Sequence, residues 1–319
     1  MTIIQRQPPT VMQKFLIKSM GHIFRDWLKI GRGAIFHLIF GDGAHFDYDF
    51  TIMNYGKSYS GNLKFGIDHH IFFYKIFEPY NINILQTVAQ YLKSQGKVIN
   101  FLDIGANVGS HSHFMVDYAD SIHSFEPHPE IFKSLEAKRN SYSSEGFHIH
   151  QFGLGDQDDV LKYYEPATHN TGTGSFISGS DINEGLSIEL RVKQGDKVLN
   201  DLNVSSVSMI KMDVEGFEGF ALRGLSETLH HDRPMILMEM SQTTRQVMLD
   251  HKLSLESLLY SDAVLFEICP IGKHGKYKLE SRTFSSLNLE HHDLLIIPNE
   301  DAEKLFSVFC QSKKFIKSR

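Results

Sequence analysis

The stretch Val98-Ile-Asn-Phe-Leu-Asp-Ile-Gly-Ala-Asn-Val-Gly-Ser110 constrains this chain more than any other. Residues Val98 to Leu102 form a mostly apolar run that ends at Asp103, where the glycines begin. That order predicts a buried parallel strand, then a tight turn, then a helix. Gly105 and Gly109 can take backbone angles closed to residues with a Cβ, and they let a ligand approach the main chain. Helix amides opening near Val108 to Ser110 would face that ligand, with the positive end of the helix dipole behind them. Asp103 supplies an acceptor at the strand's carboxyl end, where open α/β sheets bind ligands. The expectation is a pocket for a nucleotide-type cofactor.

A dinucleotide fingerprint requires glycine at three places, G-x-G-x-x-G. Here those places hold Gly105, Asn107 and Ser110, so two of the three fail. The run D-x-G-x-N-x-G instead resembles the first motif of S-adenosylmethionine-dependent methyltransferases. A second strand, Ser121 to Phe125, ends in Glu126, an acid placed to accept hydrogen bonds from ribose hydroxyls in either cofactor class. The expected cofactor contacts are therefore Asp103, Gly105, Asn107, Gly109 and Glu126. After the third strand, Phe147 to Phe152, Asp156 is a candidate acceptor for the adenine amino group. A Gly-Asp pair is also an ordinary turn.

The net charge of −6 gives no whole-chain attraction to nucleic acid. Two cysteines, Cys269 and Cys310, are too few for a disulfide framework and predict a reducing compartment. No apolar run approaches the roughly 20 residues that span a bilayer, and the N-terminus lacks the order of a signal peptide. A cytoplasmic location is the expectation.

Residues 1–10 read as a loose arm. From Val11 to Ile30, Leu16, Met20, Ile23, Phe24, Trp27 and Leu28 recur at helical spacing, with Lys14, Lys18, Arg25 and Lys29 between them. A basic amphipathic helix can lie on an anionic membrane. Packing on its own domain or on a second subunit is the favoured reading. Gly31 and Gly33 stop this helix. Residues 41–70 suggest short strands or a lid, and a helix follows from Asn81 to Leu92.

The second informative stretch is Val207-Ser-Met-Ile-Lys-Met-Asp-Val-Glu-Gly-Phe-Glu218. Period-two alternation puts Met209, Lys211 and Asp213 on one side of a strand, with Asp213 at its carboxyl end. Glu215 and Glu218 follow on the turn. Pro234 to Met238 is a fifth strand, again ending in an acid, Glu239. Clustered carboxylates raise one another's pKa, which suits a general base or metal binding. The plainer reading is that Glu215 and Glu218 complement a helix N-terminus. Thr171 to Ser175 is a substrate loop or a hairpin connection. Residues 241–260 and 300–313 read as helices, Ala263–Cys269 and Asp293–Ile297 as an antiparallel late pair, and Lys313 to Arg319 as a solvated tail.

Asp103-Ile-Gly-Ala-Asn-Val-Gly109, Phe125-Glu-Pro127, Lys211-Met-Asp-Val-Glu-Gly-Phe-Glu218 and Pro234-Met-Ile-Leu-Met-Glu239 together resemble the FkbM family of methyltransferases, from about Ile67 to Pro298. Phe217 stands where the family has a small residue, and residues 1–66 match nothing in it. The resemblance implies a class I methyltransferase fold: a Rossmann-like α/β domain with a seven-stranded, mostly parallel sheet and helices on both faces. It implies a domain over 67–319 with an N-terminal helical or irregular extension over 1–66. It also implies S-adenosylmethionine as cofactor and O-methylation of a sugar, polyketide or related hydroxyl compound or glycan.

Methyl transfer needs in-line approach of an acceptor oxygen and a base for its proton. Asp213 is the first candidate, with Glu239, Glu215 and His111 behind it. His111 and His113 differ from the other histidines because they follow the cofactor glycines directly. No zinc pattern is present. A hard cation on Asp213 and Glu239 is the lesser alternative, and no metal is expected. The competing readings are an NAD-dependent oxidoreductase and a noncatalytic adaptor that retains the fold. Self-association is compatible with all three.

Overall fold

The computed structural model describes residues 8–28, 31–32, 34–35, 38, 46–166, 174–177, 182–271, 276–287 and 292–311. Most of the arm at 1–10, the stop at Gly33, most of Thr171 to Ser175, His291 and the tail from Lys313 lie outside those residues.

Helix α1 (Val11–His22) opens on a reciprocal cap. The Thr10 hydroxyl accepts from the Gln13 N–H, and the Gln13 side chain accepts from the Thr10 N–H. A π turn, Ile23–Trp27, follows. Strands β1 (Asp49–Asn54) and β2 (Lys57–Asn62) form a hairpin. Its two turn residues, Tyr55 and Gly56, both take positive φ, as a turn matched to strand twist requires. Helix α2 (Gly66–Tyr74) completes this unit. Ile17, Met20, Phe24, Phe50, Tyr59, Leu63, Ile71, Phe72 and Phe73 form its apolar cluster, which runs across residue 66.

The first helix thus packs on its own chain, but not with all the residues the spacing selects. Leu16, Ile23 and Trp27 are exposed, Trp27 at 77%. A π turn advances less rotation per residue than an α turn. It keeps Phe24 inward and swings Trp27 off the buried side.

Helix α3 (Pro79–Ser94) leads to β3 (Asn100–Ile104), whose start and end lie two residues later than the apolar run predicts, leaving Val98 exposed. Then come α4 (Ser110–Met115), β4 (Ser121–Phe125), α5 (Pro129–Arg139) and β5 (Phe147–His150). The short β6 (Gly153–Gly155) joins β7 (Asp159–Pro166) and β8 (Ile182–Gln194) in a separate three-stranded sheet. Helix α6 (Gly195–Asp201), β9 (Val207–Met212), α7 (Glu218–Gly224), α8 (Ser226–Asp232) and β10 (Met235–Met240) follow. The predicted helix over 241–260 is two, α9 (Gln242–Asp250) and α10 (Leu255–Leu258), the second capped by the Ser254 side chain. Strands β11 (Ala263–Ile271), β12 (Lys276–Arg282) and β13 (His292–Pro298) precede the last helix, α11 (Asn299–Gln311).

The main sheet has the order β12-β11-β13-β10-β9-β3-β4-β5. Its β10-β9-β3-β4-β5 half is parallel, and β13, β11 and β12 are joined antiparallel. Among the described residues it has eight strands, one more than expected. The extra one is the edge strand β12, where Tyr277 and Leu279 turn inward while Lys278, Glu280 and Arg282 make a charged ladder. Those charges suit an edge and disguise the strand in the sequence. Alternate side chains enter two cores. Phe101, Met209, Leu237 and Leu295 meet Ile84, Val88 and Phe309 on one face, and Leu102, Ile210, Ile236 and Ile296 meet Leu222 and Leu225 on the other. Strand order reverses at β3 and β9, so a crevice opens at their carboxyl ends.

Candidate active site

The turn after β3 is built by its backbone. Gly105, Asn107 and Gly109 all have positive φ. The Gly105 and Ala106 N–H groups donate to the Phe125 carbonyl, which binds this turn to the end of β4. A Cβ on Gly105 would overlap the Asp213 carbonyl oxygen. Glycine there lets the turns after β3 and β9 touch, and so brings the first and second informative stretches together.

Asp103 is fully buried, and its Oδ2 accepts from the Ser112 N–H (3.1 Å) and hydroxyl (2.5 Å). Its Oδ1 is buried without a hydrogen-bond partner among the described residues. Glu126, 6% exposed, accepts from the N–H groups of Asn107 (3.0 Å) and His128 (2.8 Å). Burial pushes Glu126 up to about 7, against the backbone donors that favour its charge. Asp156 stands just after β6, and its Oδ2 is taken by Arg223.

Beyond the β9 end lies a cluster of acids. Carboxylate oxygens of Asp213, Glu215 and Glu239 all lie within 4.8 Å of one another. Burial would raise Asp213, but the Lys211 ammonium, 3.1 Å away, and a hydrogen bond shared with Glu239 hold it at about 2. Burial and the Asp213 charge push Glu239 up to about 11, and the same two causes push Glu215 up to about 8. One proton is thus shared between Asp213 and Glu239 and sits on Glu239. The Asp213 side chain keeps 32% of its surface exposed, so the cluster is recessed and not sealed.

His111, on the first turn of α4, places Nε2 3.3 Å from Glu78 Oε2. Glu78 takes a left-handed φ just ahead of α3. The Asn81 amide donates to both Glu78 and Asp293, at 3.2 Å each. Burial, then the Glu78 charge, raises Asp293 to about 7. Glu78, Asn81, Lys211 and Asp293 are therefore members that the sequence reading did not select. Asp293 lies directly across the strand pair from Glu239, a relation no local spacing reveals. Glu78-Pro79 before a helix is the one local signal.

Glu218 has a different task. It is fully buried and accepts from the N–H groups of Val214 (2.9 Å) and Gly216 (3.0 Å) and from the Thr244 hydroxyl (2.8 Å). The helix-terminus reading holds for Glu218 and not for Glu215. His113 is also structural: it is fully buried, bonded to Tyr142 and edge-on to the Tyr59 ring. The Asp213, Glu215 and Glu239 oxygens are ligands of the kind a hard cation takes, yet Lys211 already neutralises Asp213.

A parallel sheet with its ligand crevice at β3 and β9, acids ending β3, β4, β9 and β10, and antiparallel strands β13 and β11 added beyond β10 define a class I methyltransferase. Within that class the chain belongs to the FkbM methyltransferases: the methyltransferase FkbM domain matches residues 103–262, half of the chain. Among curated proteins, Hexuronic acid methyltransferase AglP of Haloferax volcanii is 23% identical over 216 residues, 67% of this chain and 79% of that protein. Methyltransferase 1 of Beauveria bassiana is 28% identical over 144 residues, 40% of this chain and 58% of that protein. The solved structure of methyltransferase FkbM from Methylobacillus flagellatus is 15% identical with a TM-score of 0.40. That match covers 66% of this chain and 47% of the other, so this chain spans under half of that protein's length.

Proposed function

We propose that this methyltransferase moves a methyl group from S-adenosylmethionine to a hydroxyl oxygen of a sugar, a glycan or another hydroxylated small molecule. The carrying observation is the contact of the Gly105 turn with Asp213, which gives the cofactor turn and the carboxylate cluster one shared crevice. The name of the Haloferax volcanii relative favours a sugar acid as acceptor.

The orphaned Asp103 Oδ1 and the positive-φ turn fit a polar ligand laid over the main chain. Asp103, Gly105, Asn107, Gly109 and Glu126 would hold the cofactor, with Asp156 Oδ1 left to accept from its adenine. Bound there, S-adenosylmethionine supplies an electrophilic methyl group. Asp213 accepts the acceptor's hydroxyl hydrogen bond and takes its proton as the methyl passes from sulfur to oxygen. A hydroxyl under alkylation becomes strongly acidic, so even a carboxylate held near 2 can receive that proton late in the step. Lys211 and the proton on Glu239 keep Asp213 ionised and oriented. His111 and Glu215 flank the acceptor.

Titration calorimetry with S-adenosylmethionine and with NAD tests the reading. One site for S-adenosylmethionine is expected, weakened by about 1–3 kcal/mol in Glu126→Ala, the range for leaving a buried hydrogen-bonding group without its partner. NAD binding in its place would make the chain an oxidoreductase, and binding of neither would leave an adaptor.

A further inference from the structure

Of the fourteen large apolar side chains exposed among the described residues, eight lie between Val11 and Leu38. On α1 and the π turn they are Val11 (86%), Met12 (74%), Phe15 (71%), Leu16, Ile23 and Trp27 (77%). Ile17, Met20 and Phe24 on the opposite side are buried in the aromatic cluster. The helix is therefore apolar on two sides: one is consumed by its own domain and the other faces outward. Scattered exposed apolar residues need no cause, but a contiguous patch of them marks an interaction surface.

Charge identifies what covers it. The first 45 residues carry six Lys and Arg against two Asp, in a chain whose net charge is −6. Lys14, Lys18 and His22 are exposed along one flank of the outward side. The acid on this helix, Asp26, is already paired with Lys75 (3.2 Å) and His22 (3.0 Å). An exposed tryptophan and phenylalanine beside lysines is the composition of a helix that lies in a lipid headgroup layer. No helix among the described residues is long and apolar enough to cross a membrane. Contact in the plane of the surface is what this geometry allows.

We propose that the outward side of α1 and its π turn docks the enzyme on an anionic lipid surface, with Phe15 and Trp27 entering the headgroup region and Lys14 and Lys18 against lipid phosphates. The sequence favours packing over membrane contact for this helix; here one face packs and the other is assigned to lipid. That assignment stands whether or not the acceptor is a glycan.

The chain has a single tryptophan, which makes the test direct. Trp27 emission is followed as the full chain is titrated with vesicles of phosphatidylglycerol and phosphatidylcholine, then with phosphatidylcholine alone. A blue shift with the anionic vesicles, quenching by bromine-labelled acyl chains and reversal by salt are expected. The Lys14→Gln/Lys18→Gln variant should bind about tenfold to thirtyfold more weakly, given what each lysine contributes near an anionic surface. Its melting temperature and cofactor affinity should not change, because neither side chain enters the core. No emission change with anionic vesicles, or an equal change with neutral ones, overturns the proposal. So does concentration-dependent self-association in sedimentation velocity that Phe15→Ser abolishes, since the face would then join two copies of the chain.

Discussion

Asp213 and Glu239 sit side by side and do opposite things at neutral pH. Asp213 is ionised, and Glu239 carries the proton between them. A pair coupled this tightly titrates as a unit, and its two members should respond differently to the loss of ionisation. Asp213→Asn removes the proposed proton acceptor and should lower methyl transfer by about 10²–10⁴-fold, the usual worth of general-base catalysis. Glu239→Gln keeps a donor where the protonated acid already donates, and should cost less than about tenfold on the same scale. Single-turnover rates under saturating acceptor separate the two. Equal losses in both variants would mean that the proton is not held on Glu239. The same residue-level logic divides Glu215 from Glu218. They are three positions apart, yet one points into the cluster and the other satisfies the backbone of its own turn.

Between elements, the N-terminal unit reaches the glycine turn after β3 through buried polar groups. Asp68 on α2 is fully buried and accepts from the Tyr59 hydroxyl (2.7 Å), the Asn62 N–H (2.9 Å), the Ser134 hydroxyl (2.9 Å) and Lys138 (3.2 Å). Lys138, equally buried on α5, also donates to the Val108 carbonyl at 2.5 Å, inside the glycine turn. A buried ion pair adds little net stability, but breaking it strands a charge and costs about 3–5 kcal/mol. Lys138→Met should therefore lower the melting temperature markedly. It should also weaken S-adenosylmethionine binding, because the Val108 carbonyl loses its anchor. Unchanged affinity in the folded variant would show that Lys138 supports the fold and not the turn.

Across the whole molecule, the buried acids set how stability follows pH. Glu215 and Glu239 keep protons in the fold up to about 8 and about 11, and Glu126 and Asp293 up to about 7. Unfolded, such groups lose them near ~4. The folded state then binds more protons than the unfolded one, so stability falls as pH rises from ~4 through those folded values. His113, His123 and His150 work the other way. Burial depresses them to about 3, about 4 and about 4, so the unfolded chain gains protons first below ~6.5 and stability is lost on the acid side. Four raised carboxyls outnumber three depressed imidazoles, so the cofactor-free protein should melt highest at roughly pH 4–5 and lose stability steadily towards pH 8.5. Glu239→Gln should flatten the alkaline decline. A melting temperature that rises from pH 6.5 to 8.5 would contradict protonated Glu215 and Glu239.

Local chemistry was legible in the chain itself. The turn after β3 needs residues that accept positive φ, so its glycines and Asn107 announce the turn, the strand before it and the crevice it lines. Glu126 and Asp213 were readable for a related reason, since each closes a short strand just ahead of a turn-forming Pro or Gly. The hairpin at Tyr55-Gly56 and the edge strand β12 were harder, because short or charged strands lack the apolar pattern that marks a buried one. Contacts between distant segments left no local trace. Glu78, Asn81 and Asp293 meet across more than two hundred residues of chain, and Asp68 reaches Val108 only through a lysine on a third element. Trp27 shows the same limit within a single helix. Its spacing is that of a core residue, and one turn of π geometry carries it outside. Sequence determines which backbone conformations each residue permits and where apolar runs end. Tertiary packing alone decides which buried charges become neighbours, because their pairing depends on distances the chain acquires only once its sheet has assembled.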